Sequence, residues 1–323
     1  MMKGQSNMTR KYKPEGMIIH TPENRLFLSS PAGLERAMET GAILEESALM
    51  CDSAMNLHLD LGGIEGIIPR EEALFCRPGE QIKDIAIITR VGKPVCFKIT
   101  ALDTVDGRLC ARLSRREAQR ECSANYISDL IPGDIIKVKI THLENFGAFA
   151  DIGCGISSLI PVDCLSVSRI SHPRDRLPCG GYAYAVVKSI DPDTGRLYLS
   201  QKELLGTWEE NAALFSVGQT VAGIVRSIEN YGVFLELTPN LAGLAEPRCG
   251  AEIDELNIGD TAAVYIKSII PERMKVKLVL IDAHTQPQLP APVKYFIDCE
   301  RTQHIDAWRY SPAGAVKTVE TVF

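Results

Sequence analysis

The chain has 323 residues, 45% of them hydrophobic and 24% charged, enough for two or three domains that each bury a core. A formal net charge of −6 excludes a protein that coats nucleic acid by bulk positive charge, so any such binding must come from local patches and stacking. Ten cysteines without one Cys-x-x-Cys pair argue against a zinc ribbon or a thioredoxin-like site, and no run of about twenty apolar residues predicts a membrane span.

Residues 1–33 mix Lys3, Arg10, Lys11 and Lys13 with Gly4, Pro14, Gly16 and Pro22 and show no sustained period, which predicts a mobile N-terminal arm. Met1 to Arg25 holds no apolar core bounded by a cleavage site, and the expectation is a cytoplasmic protein with reduced thiols. From Ser30-Pro31 a helical pattern places Leu34, Met38 and Ala42 at spacing four and leads into a first repeat over 34–116. Leu57, Leu59 and Leu61 alternate with Asn56, His58 and Asp60. Further strands are expected at Ile85 to Ile88, at Val95 to Ile99 and, after a turn at Asp106-Gly107, at Arg108 to Ser114. The unit reads as a five-stranded all-β module.

Ser114-Arg115-Arg116-Glu117 has the form of a capping box opening a helix that Pro132-Gly133 stops. A second repeat, 131–203, then begins with Ile136, Val138 and Ile140 pointing inward and Lys137, Lys139 and Thr141 outward. In Asn145-Phe146-Gly147-Ala148-Phe149-Ala150-Asp151-Ile152, the small and aliphatic residues again take one face, which leaves Phe149 and Asp151 on the other. An outward aromatic beside a glycine calls for an explanation other than burial, and stacking on a base supplies one. Asp191-Pro192-Asp193-Thr194-Gly195 is turn chemistry in preference to a catalytic carboxylate pair.

Ser200-Gln201-Lys202-Glu203 repeats the capping pattern, and Leu204, Trp208, Ala212 and Phe215 form a stripe better suited to packing than to ligand binding. In a third repeat, 217–282, Asn230-Tyr231-Gly232-Val233-Phe234-Leu235-Glu236 restates the motif with Phe234 and Glu236 outward. Residues 283–323 open with Pro287, Pro290 and Pro292, an extended linker, before two short candidate strands, Val293 to Asp298 and Ile305 to Tyr310, that would form a small hairpin at most.

In the second repeat the order Gly133-Asp134, Asn145 to Phe149, Leu159-Ile160-Pro161, Val187 to Ile190, Asp191 to Arg196 and Leu197 to Ser200 resembles the S1 RNA-binding domain, an OB-type barrel. Three copies, with Gly63 to Arg70 in the first and Asn240 to Glu246 in the third, resemble the shorter, Firmicutes-type members of the ribosomal protein S1 family. The resemblance implies an all-β fold of three tandem OB-fold, S1-type five-stranded barrels joined by short helices. It also implies an RNA-binding face where bases stack on aromatics and basic residues hold phosphates. Carried onto this sequence, that face comprises Lys139, His142, Phe146, Phe149, Arg169 and His172 in repeat 2 and Arg226, Tyr231, Phe234 and Lys267 in repeat 3. Pro161, Glu246 and Pro69 stand where many copies of the domain carry a histidine, and Met55 and His58 replace the aromatics of repeat 1. By analogy with longer members of the family, the resemblance implies that repeat 1 docks protein or acts as a spacer.

The expected function is RNA binding in the translation apparatus, with single-stranded mRNA held near the small ribosomal subunit at low sequence specificity. No catalytic residue, cofactor or metal, no membrane and a monomeric state complete the expectation. The alternative is a protein-binding or regulatory adaptor built of the same barrels, since exposed aromatics also mark protein interfaces.

Overall fold

In the computed structural model, residues 11–76, 81–105, 107–246, 256–284 and 293–323 are described. Asp106 of the first turn and Pro287, Pro290 and Pro292 of the expected linker lie outside them. The chain divides into two compact units, the first running to Leu130 and including Asp151–Ser157, the second made of Ile131–Ala150 and Ser158–Phe323.

The first unit opens on two helices, α1 (Pro22–Leu28) and α2 (Pro31–Thr40), each with proline in its first turn and a side-chain cap, Thr21 for one and Ser30 for the other. They precede a closed barrel of β1 (Leu44–Cys51), β2 (Leu57–Asp60), β3 (Glu65–Ile68), β4 (Pro94–Val105) and β5 (Arg108–Ser114), in the order β1-β2-β3-β5-β4. The β3–β5 pair is parallel and the other pairs antiparallel. A register shift between Ala48 and Met50 lets β1 bend and pair with both β2 and β4, which is how a five-stranded sheet closes. Leu34 and Ala37 of α2 join the barrel core of Leu44, Leu57, Leu59, Phe97 and Leu113.

Two expectations fail in this unit. Ile85 to Ile88 is not a strand: it lies in a short helix, α3 (Asp84–Ile88), because a four-residue apolar run fits either state and its packing decides. The expected arm is packed from Tyr12 on. The Tyr12 ring is buried, stacks on Tyr126 at 6.1 Å and donates its hydroxyl to Glu121 at 2.8 Å. Asn24 exchanges two hydrogen bonds with the Glu45 backbone, and the N–H groups of Gly16, Ile18 and Ile19 converge on the buried Glu45 carboxylate at 2.8 to 3.0 Å. Glu15 is buried against Arg115, 2.7 Å away, and its own N–H donates to Asp151 at 2.7 Å.

Helix α4 (Arg115–Asn125) begins at Ser114, whose hydroxyl accepts from Glu117 N–H at 2.9 Å; the Glu117 carboxylate pairs with Arg120. The second barrel follows with β6 (Ile135–Glu144), β7 (Gly147–Asp151), β8 (Ser157–Pro161), β9 (Tyr182–Ile190) and β10 (Leu197–Ser200), ordered β10-β8-β7-β6-β9. Ser200 does not cap a helix; it donates to Glu203 from within β10. The capping box lies further on at Thr207 and Glu210, opening α5 (Trp208–Ala212), where Trp208 is buried as packing.

The third barrel, β11 (Thr220–Glu229), β12 (Gly232–Thr238), β13 (Leu241–Ala245), β14 (Thr261–Ile270) and β15 (Lys275–His284), again pairs its third and fifth strands in parallel. The C-terminal segment departs from the expected hairpin. Its strands are β16 (Ala307–Arg309) and β17 (Glu320–Val322), and the stretch from Val293 to Asp298 is not a strand. Instead Tyr295 accepts from Tyr184 N–H at 2.9 Å, Phe296 N–H donates to Leu204 O at 2.9 Å, and His304 pairs with Asp134 at 2.8 Å. Further on, Trp208 N–H donates to Tyr310 O at 3.0 Å and the Tyr310 hydroxyl donates to Asn240 O at 2.7 Å.

Candidate nucleic-acid interface

The motif glycine sets the geometry of the site. A Cβ at Gly147 would stand 2.5 Å from Ile160 O, and one at Gly232 the same distance from Ala245 O, so in both repeats only glycine lets the next strand approach. The flanking aromatics are thereby turned outward as a pair. Phe146, 56% exposed, meets half-buried Phe149 edge to face, with centroids 6.0 Å apart and planes at 89°. Tyr231 and Phe234 repeat the arrangement at 6.2 Å and 88°. An edge-to-face pair presents one open ring face beside one ring edge, which suits a flat ligand.

Repeat 2 adds to its pair. His142, at the end of β6, stacks on Phe149 at 6.3 Å with an interplanar angle of 28° while its Nε2 lies 2.6 Å from Glu144. Lys139 projects from the same strand with its Nζ 5.9 Å from the Tyr182 ring. Arg169 and His172 are elsewhere. Arg169 is exposed next to Ser168, whose N–H is held by Pro239 O, and His172 Nδ1 accepts from Arg174 N–H at 3.0 Å as the cap of a short turn. Neither makes a hydrogen bond or ring contact with the Phe146–Phe149 pair.

In repeat 3, Lys267 is exposed on β14, but Arg226 does not face a ligand. Its guanidinium is buried, with Nε 2.7 Å from Glu236 and Nη1 3.0 Å from Asp175. Arg176 reaches the same Glu236 oxygen, so two guanidinia and two carboxylates close a network between the second and third barrels. Burial lowers the Arg176 pKa, against the pull of Glu236. Outward placement of Glu236 and Asp151 was expected from alternation. Both point away from their barrel cores, yet both are buried by other elements of their units. Asp151 accepts from the N–H groups of Glu15, Gly153 and Gly155, and burial followed by the nearby Glu15 charge raises its pKa.

Among the described residues, repeat 1 has no aromatic pair like these. His58 bridges Glu65 at 2.9 Å and Asp52 at 3.3 Å; burial lowers its pKa, but the two carboxylates outweigh that and the net direction is up. In the Asp191 turn, the carboxylate accepts from the N–H groups of Asp193 and Thr194 at 2.9 and 3.1 Å, as turn chemistry requires.

The barrel that carries the Phe146–Phe149 pair has a recognisable family. Residues 129–202 match the S1 RNA binding domain. Over a longer span the chain is similar to small ribosomal subunit protein bS1, including Firmicutes-type sequences, as the repeat pattern suggested. It is 31% identical to that of Staphylococcus haemolyticus over 206 residues, 61% of this chain and 52% of the relative. The Leuconostoc lactis protein is 26% identical over 72% of this chain and 54% of its own length, and the Chlamydia muridarum protein 28% over 67% and 38%. The chain thus spans about half the length of the first two relatives and less of the third.

Sequence reasoning missed one group in the S1 barrel. Tyr182 and Tyr184 alternate with buried Ala183 and Ala185 on β9, and Lys137 Nζ lies 5.9 and 5.7 Å from their rings. The signal was present as a period-two strand with tyrosines on its outward face.

Proposed function

We propose that this chain binds single-stranded RNA through its second barrel, with low sequence specificity, and serves translation by holding mRNA near the small ribosomal subunit. The observation that carries the reading is the exposed Phe146–Phe149 pair with His142 stacked beside it, on the barrel that matches the S1 RNA binding domain. Stacking accepts any base, and each stacked base contributes roughly 1–3 kcal/mol. Tyr231 and Phe234 give the third barrel an assisting platform. Arg226 leaves the contact set because its charge is satisfied by Glu236 and Asp175. The chain is read as a binding protein without a catalytic centre.

The test is fluorescence anisotropy of labelled oligo-U with the full chain. Phe149→Ala should weaken binding by roughly 5- to 150-fold, the equivalent of one lost stacked base; unchanged affinity sinks the reading. Co-sedimentation with small ribosomal subunits at low salt checks the partner, and its absence there would leave RNA binding without the ribosomal role.

A second reading applies to repeat 1 alone. Leu49, Met50 and Ile88 are exposed together with Val91 around one recess, an apolar surface of the kind that protein partners cover. It supports protein docking for that barrel.

A further inference from the structure

We infer that the RNA path on the second barrel does not end at the phenylalanine pair but continues across β6 onto β9, where Tyr182 between Lys137 and Lys139 forms a second stacking step. The inference rests on the reading of this barrel as a single-stranded RNA binder and adds the residues by which a longer strand is held.

Four observations carry it. Tyr182 is 46% exposed although it sits in a strand whose next residue, Ala183, is buried. Its ring lies 5.9 Å from both the Lys137 and the Lys139 Nζ, so an aromatic face and two cations occupy one small area. A base can take the ring while the lysines take flanking phosphates, the pairing that single-strand binders use. The patch and the phenylalanine platform share strand β6. β6 pairs with β9 through Lys139 opposite Tyr182, and His142, which stacks on Phe149, follows Lys139 by three residues, about 10 Å along a strand.

The third barrel supplies a contrast within the same chain. It keeps the edge-to-face aromatic pair, but a shift of 85 residues puts Ala222 and Ile224 where Lys137 and Lys139 stand, and on β14 Thr261 and Ala263 face them in the register of Tyr182 and Tyr184. A side-chain set needed only to build the barrel would recur with the barrel. This one does not. On its far side the patch is bounded by Tyr295, which meets Tyr184 edge to face at 5.7 Å.

The experiment uses the full chain and two labelled oligo-U probes, about 5 and about 14 nucleotides, near the short and long ends of the site sizes of one OB barrel. Tyr182→Ala is expected to weaken the long probe about tenfold and leave the short one unchanged, and Tyr182→Phe, which keeps the ring, to restore the long probe. Phe149→Ala should weaken both. Tyr182→Ala at wild-type affinity for the long probe overturns the inference whatever Phe149→Ala shows. Wild-type affinity of Phe149→Ala overturns the phenylalanine platform alone. Should Tyr182→Ala not fold, Lys137→Gln on the exposed strand face serves instead. It should lower the salt slope of long-probe binding by about 0.7, and an unaltered slope counts against the path.

Discussion

Arg226 shows how a residue's chemistry can be read correctly and its role missed. A basic side chain two turns of alternation from an aromatic pair is what a phosphate contact looks like in a sequence, yet here it is buried on Glu236 and Asp175. Removing one partner from a buried network leaves the others' charges uncompensated, which typically costs 3–5 kcal/mol. Arg226→Ala should therefore lower the unfolding free energy from denaturant titration by an amount of that order while the folded fraction binds oligo-U as before. Loss of RNA affinity at unchanged stability would contradict the assignment. Glu45 makes a second case. Burial raises its pKa from 4.5 to about 7, and the N–H groups of Gly16 and Ile18 only partly offset this. A carboxyl whose folded pKa is raised binds its proton more tightly when folded, so the stability it lends is full below about 4.5 and is lost as pH climbs through about 7. The first unit should become less stable between those values, by at most about 3 kcal/mol from this group, and Glu45→Gln should flatten that slope in thermal melts. Alternation announced which side of each strand faces the barrel core. It carries no information on whether another element then covers the opposite side, which is why Glu236 and Asp151 point away from their barrel cores yet are buried, while Phe149 keeps part of its ring in solvent.

At the scale of elements, the three barrels were legible because five short strands with Gly-rich turns recur in one order, and a register-locked alternation survives in every copy. The segments at either side of them were not. Tyr12 and Asn24 lie in a stretch without period and Tyr295 in one that only resembles a strand, and packing there rests on single side chains reaching a partner more than twenty residues away. Gly133 marks how tightly the C-terminal segment is applied. Its φ is +94°, a Cβ there would stand 2.3 Å from Ile305 O, and Ile305 N–H donates back to Gly133 O at 3.0 Å. Gly133→Ala should cost clearly more than Gly180→Ala, where φ is +84° with open space around it and only the left-handed backbone penalty of roughly 1 kcal/mol applies. Equal melting temperatures for the two variants would show that the segment is held loosely at this point.

For the molecule as a whole, 35 basic residues are outnumbered by 41 acidic ones, so attraction to RNA cannot be spread over the surface. Lys137 and Lys139, the two lysines of the proposed path, imply a log–log salt slope of only about −1.5 for single-stranded RNA. A slope steeper than about −4 would mean that basic residues far from this face take part. With the shallow slope, stacking carries most of the affinity.

The buried ion network has a further consequence, for how such a chain can change over generations. Tandem repeats are usually gained and lost as interchangeable blocks, because each contacts only its neighbours through similar surfaces. Here Arg176 belongs to the second barrel and needs Glu236 of the third, whereas the second barrel's own residue at that place is Asp151, already committed to the N–H groups of Glu15, Gly153 and Gly155. A duplicated second barrel would present its arginine to a shorter carboxylate with other duties, so this contact is specific to a second barrel followed by the third.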